Sequence, residues 1–160
     1  MNMTRKTFYG LGVVSSALNL LGGALLIFSI RLSLLFSFAT VGAGAMMLLV
    51  ATTLQEDAFA RNLCLAGALL TVFGMTPGAL GAIAAAASWP VFAWQYFKTS
   101  QQESPLHRCA FLVMVCGVVL LVGSFLPMPQ MLAACIILAV AAAQGLLAWL
   151  LYRAGPDVVA

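Results

Sequence analysis

The sequence predicts an all-α integral membrane protein, a single domain over residues 1–160 with six transmembrane helices arranged as three hairpin repeats. Hydrophobic residues make up 64% of the chain and charged residues only 7%, whereas soluble domains are about one-quarter charged. Apolar runs joined by short polar connections fill nearly the whole length, which leaves no room for a soluble domain. The formal net charge of +3 comes from a few scattered residues, so we expect no nucleic-acid partner.

The first two spans are predicted at about 8–30 and 32–54. Arg5 and Lys6 precede the first apolar run, as they would in a secretory signal peptide. This run is longer than the hydrophobic region of a signal peptide, and a second span follows it almost at once. We therefore expect a retained signal-anchor helix, which Arg31 separates from the second span.

The middle of the chain, residues 62–97, contains no Asp, Glu, Lys or Arg. A single helix of about 36 residues would extend about 54 Å, whereas the hydrocarbon core of a bilayer is about 30 Å thick. The chain must therefore turn, and Pro77 and Gly78 predict the position. Proline interrupts the helical hydrogen bonds and glycine accepts the backbone angles of a reversal. The third and fourth spans are predicted at 62–75 and 78–97.

The last apolar run, residues 109–152, follows the longest polar segment, residues 98–108. This run is also too long for one span. The Pro-Met-Pro segment at 127–129 breaks it, because proline cannot continue a helix. We therefore predict the fifth and sixth spans at 109–126 and 131–152.

Six spans place both termini on the side of the membrane that carries most of the basic residues. These are Arg5, Lys6, Arg61, Lys98, Arg108 and Arg153, whereas the opposite side has only Arg31. The positive-inside rule makes the richer side cytoplasmic. We therefore predict a multi-pass protein of the bacterial inner (plasma) membrane with cytoplasmic N- and C-termini. Tyr and Trp residues at the helix ends on this side agree with that orientation.

The predicted spans contain no Asp, Glu, Lys, Arg or His in their interiors. Ion-coupled transporters and intramembrane hydrolases generally place such a group inside the bilayer, while a passive pore does not need one. The four cysteines lie in apolar runs or at their edges, without a C-x-x-C motif or a neighbouring metal ligand, which is typical of packing residues. We therefore expect neither an enzyme nor a bound cofactor or metal.

Two strongly polar side chains are predicted near the middle of the membrane, Asn19 in the first span and Gln144 in the last. One interpretation is a polar pathway or a ligand contact between these helices. The other is an interhelical hydrogen bond that closes the bundle, which is worth about 0.6–2 kcal/mol.

Three further residues are candidates for contact with lipid or with a partner: Arg31, Trp89 and Trp94. Arg31 stands alone on the outer side, where it could bind an anionic headgroup or a partner carboxylate. The alternative is an arginine that merely marks a helix end by extending toward the headgroups. Stripes of Gly and Ala, such as Ala141 with Gly145, predict close helix contact within the bundle or with another membrane subunit.

Similar tetrapeptides recur in the three predicted hairpins: Gly23-Ala24-Leu25-Leu26, Gly67-Ala68-Leu69-Leu70 and, more loosely, Gly117-Val118-Val119-Leu120. Each precedes its turn by eight to ten residues, which indicates parallel repeats around an axis along the membrane normal. This pattern resembles the HdeD-like family of small bacterial inner-membrane proteins linked to acid resistance, although Arg31 stands where that family has a turn proline. The resemblance implies six spans and a stress-related role, and it brings no catalytic residues with it.

We expect a small non-enzymatic protein, related to acid or envelope stress, that contacts membrane lipids and self-associates. One alternative is an accessory subunit of a larger membrane complex, held by its Gly/Ala stripes. Another is a passive channel or small-solute transporter with a pathway near Asn19 and Gln144.

Overall fold

The structure, a computed structural model, describes residues 2–30, 33–54, 57–76, 78–99 and 101–154. Its described residues form six α-helices and no strand, which confirms the predicted all-α class. The helices are α1 (Asn2–Ile27), α2 (Ser33–Thr53), α3 (Ala58–Phe73), α4 (Ala79–Thr99), α5 (Pro105–Phe125) and α6 (Gln130–Ala154).

Helices α3 and α5 each begin four residues earlier than the sequence predicted, because polar residues cap them. The Asp57 carboxylate accepts a hydrogen bond from the Ala60 backbone N–H at 3.1 Å, so α3 begins four residues before the predicted 62. The Ser104 hydroxyl accepts from the His107 N–H at 3.2 Å in the same way, and Pro105 takes the first position of α5. The predicted boundaries followed the edges of the apolar runs, whereas the caps extend each helix into the polar segment.

The reversal predicted near Pro77 and Gly78 lies between α3 and α4. Pro77 is outside the described residues. Gly78 has φ +96°, a left-handed conformation that glycine adopts without steric strain. The break predicted at 127–129 likewise separates α5 from α6.

Four helical segments are long and apolar enough to cross a membrane, which indicates a membrane protein: Lys6–Ile27, Leu34–Thr53, Pro105–Phe125 and Gln130–Arg153. α3 is apolar but its 16 residues extend only about 24 Å. α4 has 21 residues but includes Pro90, Gln95 and Tyr96, which make it less apolar. Length and composition therefore support four spans directly, fewer than the six predicted.

The six helices form a closed ring. Each helix packs against its neighbour in sequence, and α6 returns to pack against α1 in the most extensive of these contacts. Connections of four or five residues make successive helices antiparallel. We call the end with the α1–α2, α3–α4 and α5–α6 turns the open end, and the end where α1 begins and α6 ends the closed end.

The two ends of the ring are packed differently. The largest fully buried side chains lie toward the closed end: Tyr9, Met46, Met47, Val50, Phe92, Gln95, Tyr96, Leu147 and Leu151. Toward the open end, the inward positions of the ring carry mostly small residues, such as Ala39, Ala43 and Ala141. Large side chains fill the centre of the ring at one end, and the small ones leave space at the other.

Small residues also bring helices of the ring together. A Cβ added to Gly145 on α6 would lie 3.2 Å from the Ser16 Cβ on α1. A Cβ added to Gly117 on α5 would lie 3.0 Å from the Ala86 carbonyl oxygen on α4 and would overlap the Pro90 ring. These small residues therefore serve contacts within the chain's own bundle.

Candidate functional site: a cavity inside the helical ring

A cavity of about 220 Å³ lies inside the ring, and every helix contributes to its wall. Its lining residues are Asn19 of α1, Phe36, Ala39, Thr40 and Ala43 of α2, Thr71 of α3, Ala85, Ser88 and Trp89 of α4, Leu120 of α5, and Ile137, Val140, Ala141 and Gln144 of α6. None of these residues carries a charge, and five have an amide or a hydroxyl. The wall is thus mostly apolar, with a few uncharged polar groups.

The structure brings Asn19 and Gln144 together at this cavity, on the tightly packed helices α1 and α6. Gln144 is buried and Asn19 is half-buried. Within the part of the chain that the structure describes, no hydrogen bond joins either amide to another protein group. An amide in an apolar wall is costly without a partner, so both groups are available to a molecule in the cavity.

The three hydroxyls of the wall are bonded differently. Thr40 donates to the Phe36 carbonyl at 2.8 Å, Thr71 to the Ala68 carbonyl at 2.6 Å, and Ser88 to the Ala85 carbonyl at 2.9 Å. Each hydroxyl thus donates its hydrogen bond to a carbonyl of its own helix, as is common for Ser and Thr in apolar helices. The hydroxyl oxygens can still accept a hydrogen bond, whereas each amide can both donate and accept.

Trp89 forms part of the wall and is only 5% exposed. Its ring packs edge-on against Phe92, with centroids 5.8 Å apart. The sequence predicted that Trp89 contacts lipid or a partner, but the structure places the side chain inside the ring. The reason is helical phase, because Trp89 lies on the same face of α4 as the buried Phe92 and Tyr96.

A second, wider cavity of about 690 Å³ lies at the open end. It shares Phe36, Thr40 and Ile137 with the inner cavity, so the two spaces adjoin. Residues from all three turns or their flanking helix ends surround it, among them Ser29, Met75 and Met128. The wider space therefore adjoins the inner cavity on its open-end side, and we call it the vestibule.

Bulky side chains occupy the centre of the ring toward the closed end, among the residues that the structure describes. Tyr9 and Tyr96, on opposite helices of the ring, join their hydroxyls at 2.9 Å, and Phe92 packs edge-on against Tyr96 at 5.4 Å between centroids. Met46 and Leu147 are fully buried in the same cluster. The vestibule, the cavity and this core follow one another along the axis of the ring, from the open end to the closed end.

Trp94, another predicted contact residue, is not part of the cavity wall. Trp94 is 45% exposed on the outer surface of α4, where a membrane protein meets lipid. Arg31 lies outside the described residues. The three hydroxyl residues of the wall were not predicted, although a Ser or Thr inside an apolar span is a signal that could have found them.

Comparisons with models of protein families, with curated proteins and with solved structures each find no match for this chain.

Proposed function

We propose that this protein is a channel or small-solute transporter that admits a small uncharged solute to the cavity inside its helical ring, and that the packed closed end opens to let the solute pass. The observation that carries the proposal is the pair of unpaired amides, Asn19 and Gln144, on the wall of one cavity. Buried polar groups normally find partners within the protein. Here the amides adjoin a space that a hydrogen-bonding solute can occupy, and the absence of charge from the wall favours a neutral molecule.

The described charges support an orientation in the membrane. Every charged side chain that the structure describes lies near the closed end: Lys6, Asp57, Arg61, Lys98, Glu103, Arg108 and Arg153. Five of these seven are basic, so the positive-inside rule favours a cytoplasmic closed end. In the proposed topology all six helices cross the bacterial inner membrane, and the vestibule opens outward.

The place of α3 and α4 in the ring supports their insertion with the other helices. α3 packs between α2 and α4, and α4 packs between α3 and α5. The described side chains on the outward side of this pair include Leu69, Val72 and Leu80, each at least 60% exposed. Such side chains are compatible with lipid and would otherwise face water. We therefore include both helices among the spans.

Solute flux through reconstituted protein tests the function. Purified protein is placed in liposomes, and entry of glycerol and of urea is followed by stopped-flow light scattering. We expect faster entry than in protein-free liposomes, and a loss of most of that excess in Asn19→Leu and in Gln144→Leu. Asn62→Leu and Gln102→Leu are matched controls, because both side chains are exposed and outside the cavity.

Two outcomes would contradict the proposal. The first is entry of both probes at the rate of empty liposomes, in protein that retains its helical circular dichroism. The second is equal loss of flux in the cavity variants and in their exposed controls. The likeness to the HdeD-like family, a role in stress, self-association and the accessory-subunit role stay predictions from the sequence.

A further inference from the structure

A groove of about 320 Å³ lies on the outer surface between α5 and α6, near the closed end. Its lining residues are Pro105, Arg108, Cys109 and Leu112 of α5, with Leu146 and Leu150 of α6. Leu112 and Leu146 are 45% and 48% exposed, so the groove faces outward from the ring and is separate from the central cavity. Both helices are among the four that are apolar enough to cross a membrane.

The groove is apolar along its length and carries a single charged group at its mouth. Arg108 is exposed in the first turn of α5, at the membrane-boundary end of that helix. Among the described residues, no carboxylate forms an ion pair with its guanidinium. An arginine that no acidic group neutralises keeps its full set of donors for an external anion.

The surface beside the groove also carries a basic residue, together with aromatic rings. Arg153 lies three residues after Leu150 on α6, so helical spacing places it on the groove side at the same end. The Trp149 ring is 45% exposed and stacks on Tyr152, with centroids 5.7 Å apart. Aromatic rings of this kind favour the headgroup region of a bilayer.

We propose that the α5–α6 groove binds one anionic phospholipid. The phosphate lies on the Arg108 guanidinium, and an acyl chain lies along Leu112 and Leu146. Charge complementarity decides the occupant, because basic pockets between transmembrane helices on the cytoplasmic side bind anionic headgroups. A partner helix would have to bury Arg108, which forms no ion pair with a described carboxylate, and this burial is unfavourable unless the partner supplies a carboxylate.

Lipid retention tests this proposal independently of solute flux. Protein purified in a mild neutral detergent is titrated with phosphatidylglycerol or with phosphatidylcholine, and bound lipid is counted by native mass spectrometry. We expect one phosphatidylglycerol to be retained in preference to phosphatidylcholine. Arg108→Gln should weaken phosphatidylglycerol binding about tenfold, as expected for loss of a charge-assisted contact, while phosphatidylcholine binding stays unchanged.

Two further variants distinguish specific binding in the groove from nonspecific attraction of an anionic lipid to basic surface residues. Lys98→Gln removes an exposed positive charge at the same end of the ring but outside the groove, so we expect phosphatidylglycerol binding to remain within twofold of wild type. Leu112→Trp fills the groove without changing charge, and should reduce binding as Arg108→Gln does. Equal retention of the two lipids by the wild type, or equal loss in Lys98→Gln and Arg108→Gln, would overturn the proposal.

Discussion

The hydroxyl oxygens of Tyr9 and Tyr96 lie 2.9 Å apart and join α1 to α4 across the helical ring. Both side chains are at most 1% exposed. α1 and α4 are not neighbours around the ring, so this contact spans its centre. The pair therefore joins opposite helices across the closed end, while the open end, with its smaller residues, surrounds a cavity.

Loss of the tyrosine contact should destabilise the closed end. Tyr9→Phe and Tyr96→Phe each remove one hydroxyl and keep the ring, so we expect each to lower the free energy of unfolding by about 1 kcal/mol. The double variant should lose less free energy of unfolding than the sum of the two single variants, because the first substitution has already removed the hydrogen bond that the two hydroxyls share. Unfolding in detergent of all four forms measures this coupling. Strictly additive effects would show that the two hydroxyls do not interact.

Ser15 and Ser16 offer a comparison between adjacent residues with opposite expectations. The Ser15 hydroxyl donates to the Ala39 carbonyl of α2 at 2.5 Å, whereas the buried Ser16 hydroxyl has no partner among the described residues. Ser15→Ala should therefore lower the free energy of unfolding by about 1 kcal/mol. Ser16→Ala removes an unsatisfied group, so it should leave stability unchanged or raise it. The same unfolding measurement checks both, and a larger loss from Ser16→Ala would contradict the contacts described.

Sequence patterns predicted the helices well because apolar runs, prolines and charges act locally. The turns near Gly78 and 127–129 follow from chain chemistry alone, without knowledge of the neighbours. Which residues face the centre of the ring depends on the rotation of each helix about its own axis. The sequence does not show this rotation for a helix that is apolar on all sides, because no polar face marks its outer surface. For this reason Trp89 was predicted to meet lipid but lies in the cavity wall.

The polar residues of the candidate site were found only in part. Asn19 and Gln144 stood out because amides are rare in apolar spans. The cavity between them arises from alanines and hydroxyl residues on other helices, such as Ala43 and Thr71, which are too small to fill the space. The size of a cavity depends on how six helices approach one another, and spacing along the chain does not encode that distance.

The contact between α4 and α5 should be sensitive to a single methyl group. A Cβ on Gly117 would overlap the Pro90 ring, so Gly117→Ala should lower the free energy of unfolding by about 1–3 kcal/mol. Gly10→Ala is the matched control, since a Cβ there meets Tyr152 at an ordinary 3.7 Å. Both substitutions raise the helix propensity by the same amount. The difference between the unfolding free energies of the two variants therefore isolates the steric effect. Equal stability of the two variants would mean that the helices can separate at no cost.

The proposed orientation predicts which side of the membrane each end of the ring faces. Ser37 lines the vestibule, and Gln102 is exposed in the connection between α4 and α5 at the closed end. A membrane-impermeant maleimide should label Ser37→Cys in intact cells, and Gln102→Cys only after lysis. Labelling of the wild type supplies the background from the native cysteines. The reverse pattern would place the closed end outside and overturn the orientation.

Access to the inner cavity should depend on position along α6. Ala141 lines the cavity, whereas Ala143, two residues later, lies in the packed core. A cysteine at position 141 should therefore react with a small neutral thiol reagent that enters through the vestibule, while a cysteine at 143 should react far more slowly because side chains surround it. Mass spectrometry of native protein in detergent follows both reactions, with denatured protein as the control for full reactivity. Equal slow modification at the two positions would mean that the vestibule does not reach the cavity, and the solute pathway would then lose its entrance.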